Sequence, residues 1–178
     1  ALLARLYAGA TARPEEAVEV GGVSVPMIGE EVCGDAWSVQ ATAGGSYRIV
    51  AADGLGHGPA AGEAARRALE TFARNVELDD EELLERMHAE LHVTRGASVA
   101  LVRLCPREHA VEFTGVGNVA GVVLEANGQR RGMVSYPGTV GHMMHRVRRF
   151  RYAWPEDALV VVHSDGISSH WTLHGYRG

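Results

Sequence analysis

The sequence predicts an α+β fold in which a two-layer antiparallel β-sandwich is flanked by α-helices, and three observations lead there. Over most of the chain apolar residues alternate with polar ones or form short continuous runs, the two signatures of strands. Between residues 59 and 91 the spacing switches to three and four, the period of amphipathic helices. After residue 97 turn pairs cut the chain into many short strands, which implies sheet packed on sheet with helices covering the outer faces.

Residues 18–25 alternate loosely around Gly21-Gly22, and residues 35–42 place Trp37 and Val39 on one face against Ala36 and Ser38 on the other. A turn at residues 43–46 returns the chain as a more apolar strand over 47–52, so a hairpin is expected to end at Asp53. Pro59 fits a first helical position, where a missing N–H costs nothing. From there Ala61, Ala64, Ala65, Ala68, Leu69, Phe72 and Val76 form an apolar stripe whose small residues allow a close seat on a sheet. A second helix is expected with Asp79 as N-cap, Glu82 at the capping-box position, and Leu83, Leu84, Met87 and Leu91 as its buried face. Further strands are expected at 97–104, 110–116, 120–125, 132–135, 143–154 and 158–163, separated by turns such as Asn127-Gly128 and Pro137-Gly138.

A chain of 178 residues falls in the size range of one domain with its own core. With 46% hydrophobic and 22% charged residues the composition is that of an ordinary globular protein. No run approaches the roughly 18 apolar residues of a membrane span, and no secretory leader is evident. Cys33 and Cys105 are too few for a disulfide framework, so the expected location is the cytoplasm. The net charge of −5 argues against a nucleic-acid partner, which would demand a local excess of Lys and Arg. The oligomeric state is left open.

Three aspartates, Asp35, Asp53 and Asp165, stand where an apolar strand meets a glycine. Any one such Asp-Gly pair is an ordinary turn. Three in the same strand-end context make a converging carboxylate cluster, whose mutual repulsion calls for cations. Oxygen-only ligands favour Mg²⁺ or Mn²⁺, and a glycine beside the carboxylate lets the Gly54 carbonyl join the ligand set.

The runs CGDAW at 33–37, VAADGLGHGPAA at 50–61, GVGNVAG at 115–121 and VVVHSDGISSHW at 160–171 go further. Together they resemble the SpoIIE-like branch of the metal-dependent (PPM, type 2C) protein serine/threonine phosphatases, nearest to the RsbX-type phosphatases of stress signalling. The resemblance implies a PPM-type sandwich with two divalent cations, Mn²⁺ or Mg²⁺, at one end. It implies that Asp53 bridges both ions and Gly54 offers its carbonyl to one. Asp165 would be a terminal ligand of the other, and Asp35 would sit near the second ion, directly or through water. Two cations would acidify a shared water and offset phosphoryl charge, so no nucleophilic side chain is required. The implied substrate is a phosphorylated regulatory protein of the stressosome or anti-sigma-antagonist kind.

The family also carries a further metal-binding aspartate near its C-terminus, and no acidic residue follows Asp165 here. The expectation is therefore one PPM-type domain over residues 1–178, truncated at both ends, with a catalytically weak pseudophosphatase acting as a binding or sensing module as the alternative. His57 lies in the glycine loop, where it could protonate the leaving oxygen, although Leu55-Gly56 separate it from the Asp-Gly pair. His142 and His145, or His170 and His174, lack the companions of a zinc site. Ser98, Ser164 and His163 lack the elbow of a serine hydrolase, and the glycine loop lacks the third glycine and the Gly-Lys-Ser/Thr of a nucleotide site. The arginines of 145–151 are expected to alternate along a protected edge strand, or to offer a docking patch to an acidic partner.

Overall fold

The computed structural model describes residues 5–8, 18–167 and 171. Its elements are β1 (Arg5–Ala8), β2 (Val18–Gly21), β3 (Asp35–Ala41), β4 (Tyr47–Gly54), α1 (Gly58–Arg74), α2 (Asp80–Leu91), β5 (Ala97–Cys105), β6 (Ala110–Val116), β7 (Val119–Leu124), β8 (Arg130–Met133), β9 (Ser135–Tyr136), β10 (Phe150–Ala153) and β11 (Leu159–Ser164). The larger sheet runs β10-β6-β5-β4-β3, with β9 added in parallel to β6. A smaller sheet runs β11-β7-β8, and the β1-β2 hairpin lies beside β11. Every pairing apart from β9 is antiparallel.

Two apolar layers follow from strand alternation. Between the sheets, Ile49 and Ala51 of β4 meet Phe113 of β6, Val123 of β7, and Val160 and Val162 of β11. On the outer face of the larger sheet, Val50 and Ala52 meet Ala65, Ala68 and Phe72 of α1 and Leu83, Leu84, Met87 and Leu91 of α2. Each of these larger side chains contributes roughly 1.5–3 kcal/mol by leaving water. Among the described residues both helices cover this one face rather than one face each.

Tight seating of α1 depends on small residues. Ala61, Ala64, Ala65 and Ala68 are fully buried. A Cβ on Gly54 would lie 2.0 Å from the Ala61 carbonyl oxygen, so only glycine lets β4 end beneath the first turn of α1.

Tertiary ion pairs overrode two local expectations. Asp79 is the N-cap of α2, yet its side chain makes no cap bond and instead accepts from Arg149 at 3.3 Å, while Glu82 pairs with Arg86. The expected 143–154 strand is reduced to Phe150–Ala153. Before it the chain turns through reciprocal Thr139–Met143 backbone bonds, buries Val147 against the helix layer, and ties Arg146 to Glu81 of α2. Alternation is present there without a neighbouring strand to pair with. With Arg151 held by Glu108 and Glu112, the arginines at 146, 149 and 151 each pair with a carboxylate of the fold. The 18–25 stretch likewise pairs only as far as Gly21.

Candidate active site

Register and alternation bring the aspartates to one end of the sandwich. Asp35 of β3 stands directly opposite Asp53 of β4. Both share the inward parity of Trp37, Val39, Ile49 and Ala51, so both carboxylates lie on the face turned toward the second sheet. From that sheet, Val160 and Val162 of β11 point inward, and the next residue of the same parity, Ser164, donates to Asp35 Oδ2 at 3.0 Å. Asp165 follows in the turn beyond β11.

The three carboxylates act on one another. The Asp53 carboxyl is pushed up to about 7, first by burial, then by the charges of Asp35 and Asp165, with a side-chain hydrogen bond to Asp35 adding to it. Asp165 itself is held by Asn118, whose Nδ2 donates to Oδ2 at 2.8 Å, while the Asn118 backbone N–H donates to Ser98 Oγ at 3.0 Å. Among the described residues no three His, Cys, Asp or Glu side chains already enclose an ion-sized space. What the site presents is a set of hard oxygen donors from three neighbouring carboxylates, which fits Mg²⁺ or Mn²⁺.

Gly54 fits the ligand set through its backbone. Its N–H donates to Gly34 O at 3.0 Å. In an antiparallel strand the N–H and C=O of one residue point to the same side, so the Gly54 carbonyl is turned toward the β3 side, where Asp35 begins its strand.

His57 is the N-cap of α1 and is exposed, with Nδ1 2.5 Å from Glu30 Oε1. The Glu30 carboxylate also lies against Gly58, where a Cβ would come within 2.6 Å of its Oε2. Glu30 therefore supplies negative charge to the α1 N-terminus, which the helix dipole favours.

Sequence reasoning did not find Glu30, Ser164 or Asn118 in these roles. Asn118 lies inside the 115–121 run and Ser164 abuts Asp165, so proximity was the available signal. Glu30 had none, because its partner is 27 residues away. The histidine alternatives dissolve: His163 donates from Nδ1 to Ser164 O at 2.8 Å and accepts from Trp171 at 3.2 Å, so it serves no serine hydroxyl. His142 bonds Thr94 O at 3.1 Å, and His170 and His174 lie outside the described residues.

The fold that carries these carboxylates has counterparts among known structures. The model of the Stage II sporulation protein E (SpoIIE) family matches residues 43–170. The chain belongs to the SpoIIE family. As a SpoIIE-family member it is a metal-dependent protein serine/threonine phosphatase with the PP2C-like fold. Asp53, Gly54, His57 and Asp165 fall inside the matched stretch, and Asp35 lies just before it. The phosphoserine phosphatase RsbX of Bacillus subtilis (strain 168) is 21% identical over 140 residues, spanning 79% of this chain and 70% of RsbX. A chain solved in work on the bacterial stressosome, as a modular system adapted to control secondary messenger signaling, is 30% identical. It superposes with a TM-score of 0.77 over 84% of this chain and 78% of its own. RsbX crystallised with magnesium gives a TM-score of 0.74 at 20% identity, covering 83% and 74% of the two chains.

Proposed function

We propose that this protein hydrolyses phosphoserine or phosphothreonine on a phosphorylated bacterial regulatory protein of the stressosome or anti-sigma-antagonist kind, in the cytoplasm. The observation that carries the reading is the convergence of Asp35, Asp53 and Asp165 at one end of the sandwich, with Asp53 pushed up to about 7 by burial and by its two neighbours. The similarity to RsbX, a phosphoserine phosphatase, and to a stressosome protein supports the substrate class. No helix of the described residues is long and apolar enough to cross a membrane.

Asp35, Asp53, Asp165 and the Gly54 carbonyl would hold two divalent cations, Mn²⁺ or Mg²⁺. When bound, such cations supply Lewis-acid chemistry, acidifying water and offsetting phosphoryl charge. The chain's own residues then position. Asn118 and Ser164 fix the Asp165 and Asp35 carboxylates. Glu30 engages Nδ1 of His57, which leaves Nε2 as the nitrogen able to pass a proton to the departing seryl or threonyl oxygen.

The test is phosphate release from p-nitrophenyl phosphate and from a phosphoseryl peptide, with Mn²⁺ or Mg²⁺ in excess. Turnover should vanish with chelator and fall by roughly 10³-fold or more in Asp53→Asn, the equivalent of several kcal/mol of lost stabilisation. A wild-type protein that binds Mn²⁺ in calorimetry yet turns over neither substrate would instead be a binding or sensing module.

A further inference from the structure

The glycine loop after Asp53 meets two charged side chains of opposite kind. One is Glu30, covering Gly58 and engaging His57. The other is Arg95. The β4-β5 register pairs Gly54 with Ala97. Beyond it the Leu55 N–H donates to Gly96 O at 2.9 Å, so the next step sets Arg95 across from Gly56. Contact follows: a Cβ on Gly56 would lie 2.9 Å from Arg95 Nη1, so the guanidinium rests against the loop that carries Asp53 and Gly54. Gly56 and Gly96 have φ of +93° and +77°, left-handed values that glycine adopts at little cost and that bring the two backbones and this side chain together.

Arg95 is exposed, and among the described residues it forms no ion pair. Arg66, Arg86, Arg146 and Arg151, by contrast, each hold a carboxylate. Of the carboxylates at this loop, Glu30 is engaged by His57 and Asp53 is one the cations would claim. A guanidinium is a planar fork of donors matched to the oxygens of a phosphoryl group, and it stays charged at any working pH.

We infer that Arg95 binds the phosphoryl group of the substrate, donating to its non-bridging oxygens, and binds the orthophosphate product in the same way. The inference rests on the phosphatase reading of the site and adds to it a cation from the α2-β5 connection. Charged hydrogen bonds of this kind correspond to an affinity change of about 10- to 100-fold.

The test uses the whole chain with saturating Mn²⁺ and compares wild type, Arg95→Ala and Arg95→Lys. In Arg95→Ala, KM for p-nitrophenyl phosphate and Ki for orthophosphate should both rise about 10- to 100-fold. Arg95→Lys should recover part of the loss, and the Mn²⁺ isotherms of all three should coincide, which a general disturbance of the site would not allow. Unchanged KM and Ki in an Arg95→Ala protein with wild-type Mn²⁺ affinity overturns the inference. If wild type binds Mn²⁺ but shows no turnover, the phosphatase reading fails by itself. Calorimetry of orthophosphate binding to the Mn²⁺-loaded proteins then decides the inference separately: loss of binding in Arg95→Ala upholds it, and equal binding overturns it.

Discussion

Strand β4 carries two charged clusters, a buried one at its start and a half-buried one at its end, and they are resolved in opposite ways. Arg48 faces the helix layer and is almost fully buried, yet every demand it makes is met. It donates to Val76 O and Leu78 O at 2.5 Å each, and it pairs with Asp80, which also accepts from Thr114 at 2.8 Å. Burial lowers the Arg48 pKa from its ordinary value while Asp80 opposes the shift, so the charge is kept and neutralised. Asp53 faces the other way, between the sheets, and the charges that act on it most strongly are two more carboxylates. A buried charge with complete internal partners ties the α1-α2 connection to the sheet. A cluster of like charges marks a place built for something from outside.

That contrast can be broken at either end. The largest effect on stability is expected from Arg48→Met, which orphans Asp80 and should cost about 3–5 kcal/mol in chemical denaturation while leaving turnover per folded molecule unchanged. Pairing it with Asp80→Leu should recover part of the loss.

At the other end the sign reverses. Asp53 titrates near 3.8 when unfolded and at about 7 when folded. The native state therefore holds an extra proton in that window, and the contribution present below the lower value is lost as pH rises through the upper one. Without metal, the thermal midpoint of wild type should drop across that window relative to Asp53→Asn, and excess Mg²⁺ should oppose the drop. A wild-type slope no steeper than that of Asp53→Asn would contradict the carboxylate cluster.

Smaller still is Asn118→Ala. It releases Asp165 and should weaken Mn²⁺ binding by about 10- to 100-fold in calorimetry, with the fold retained. The smallest effect is expected from Glu63→Ala, which removes exposed pairs with Arg66 and Arg67 and should leave the thermal midpoint unchanged within error.

Alternation and helical spacing made the core elements legible: the hairpin leading to Asp53, the alanine face of α1 and the leucine face of α2 all formed as periodicity implies. Reading failed where a period had no neighbour to act on. Residues 143–149 alternate, but Arg146 and Arg149 found carboxylates on and beside α2 in place of a strand. Asp79 likewise exchanged a local cap bond for a distant arginine. In each case an ion pair across the fold replaced a choice that neighbouring residues could have made alone.

The sequence by itself determined which atoms could do chemistry, since Asp35, Asp53 and Asp165 each stand where an apolar strand meets a glycine and the glycine beside Asp53 was written into the loop. Only the tertiary structure decided how they stand to one another. Register put Asp35 opposite Asp53, strand parity aimed Ser164 at Asp35, and long-range contacts brought Glu30 and Arg95 to one glycine loop. The physical reason is that strand-end identity is local, whereas the partner of a charge is whatever the packed sheets carry into its reach.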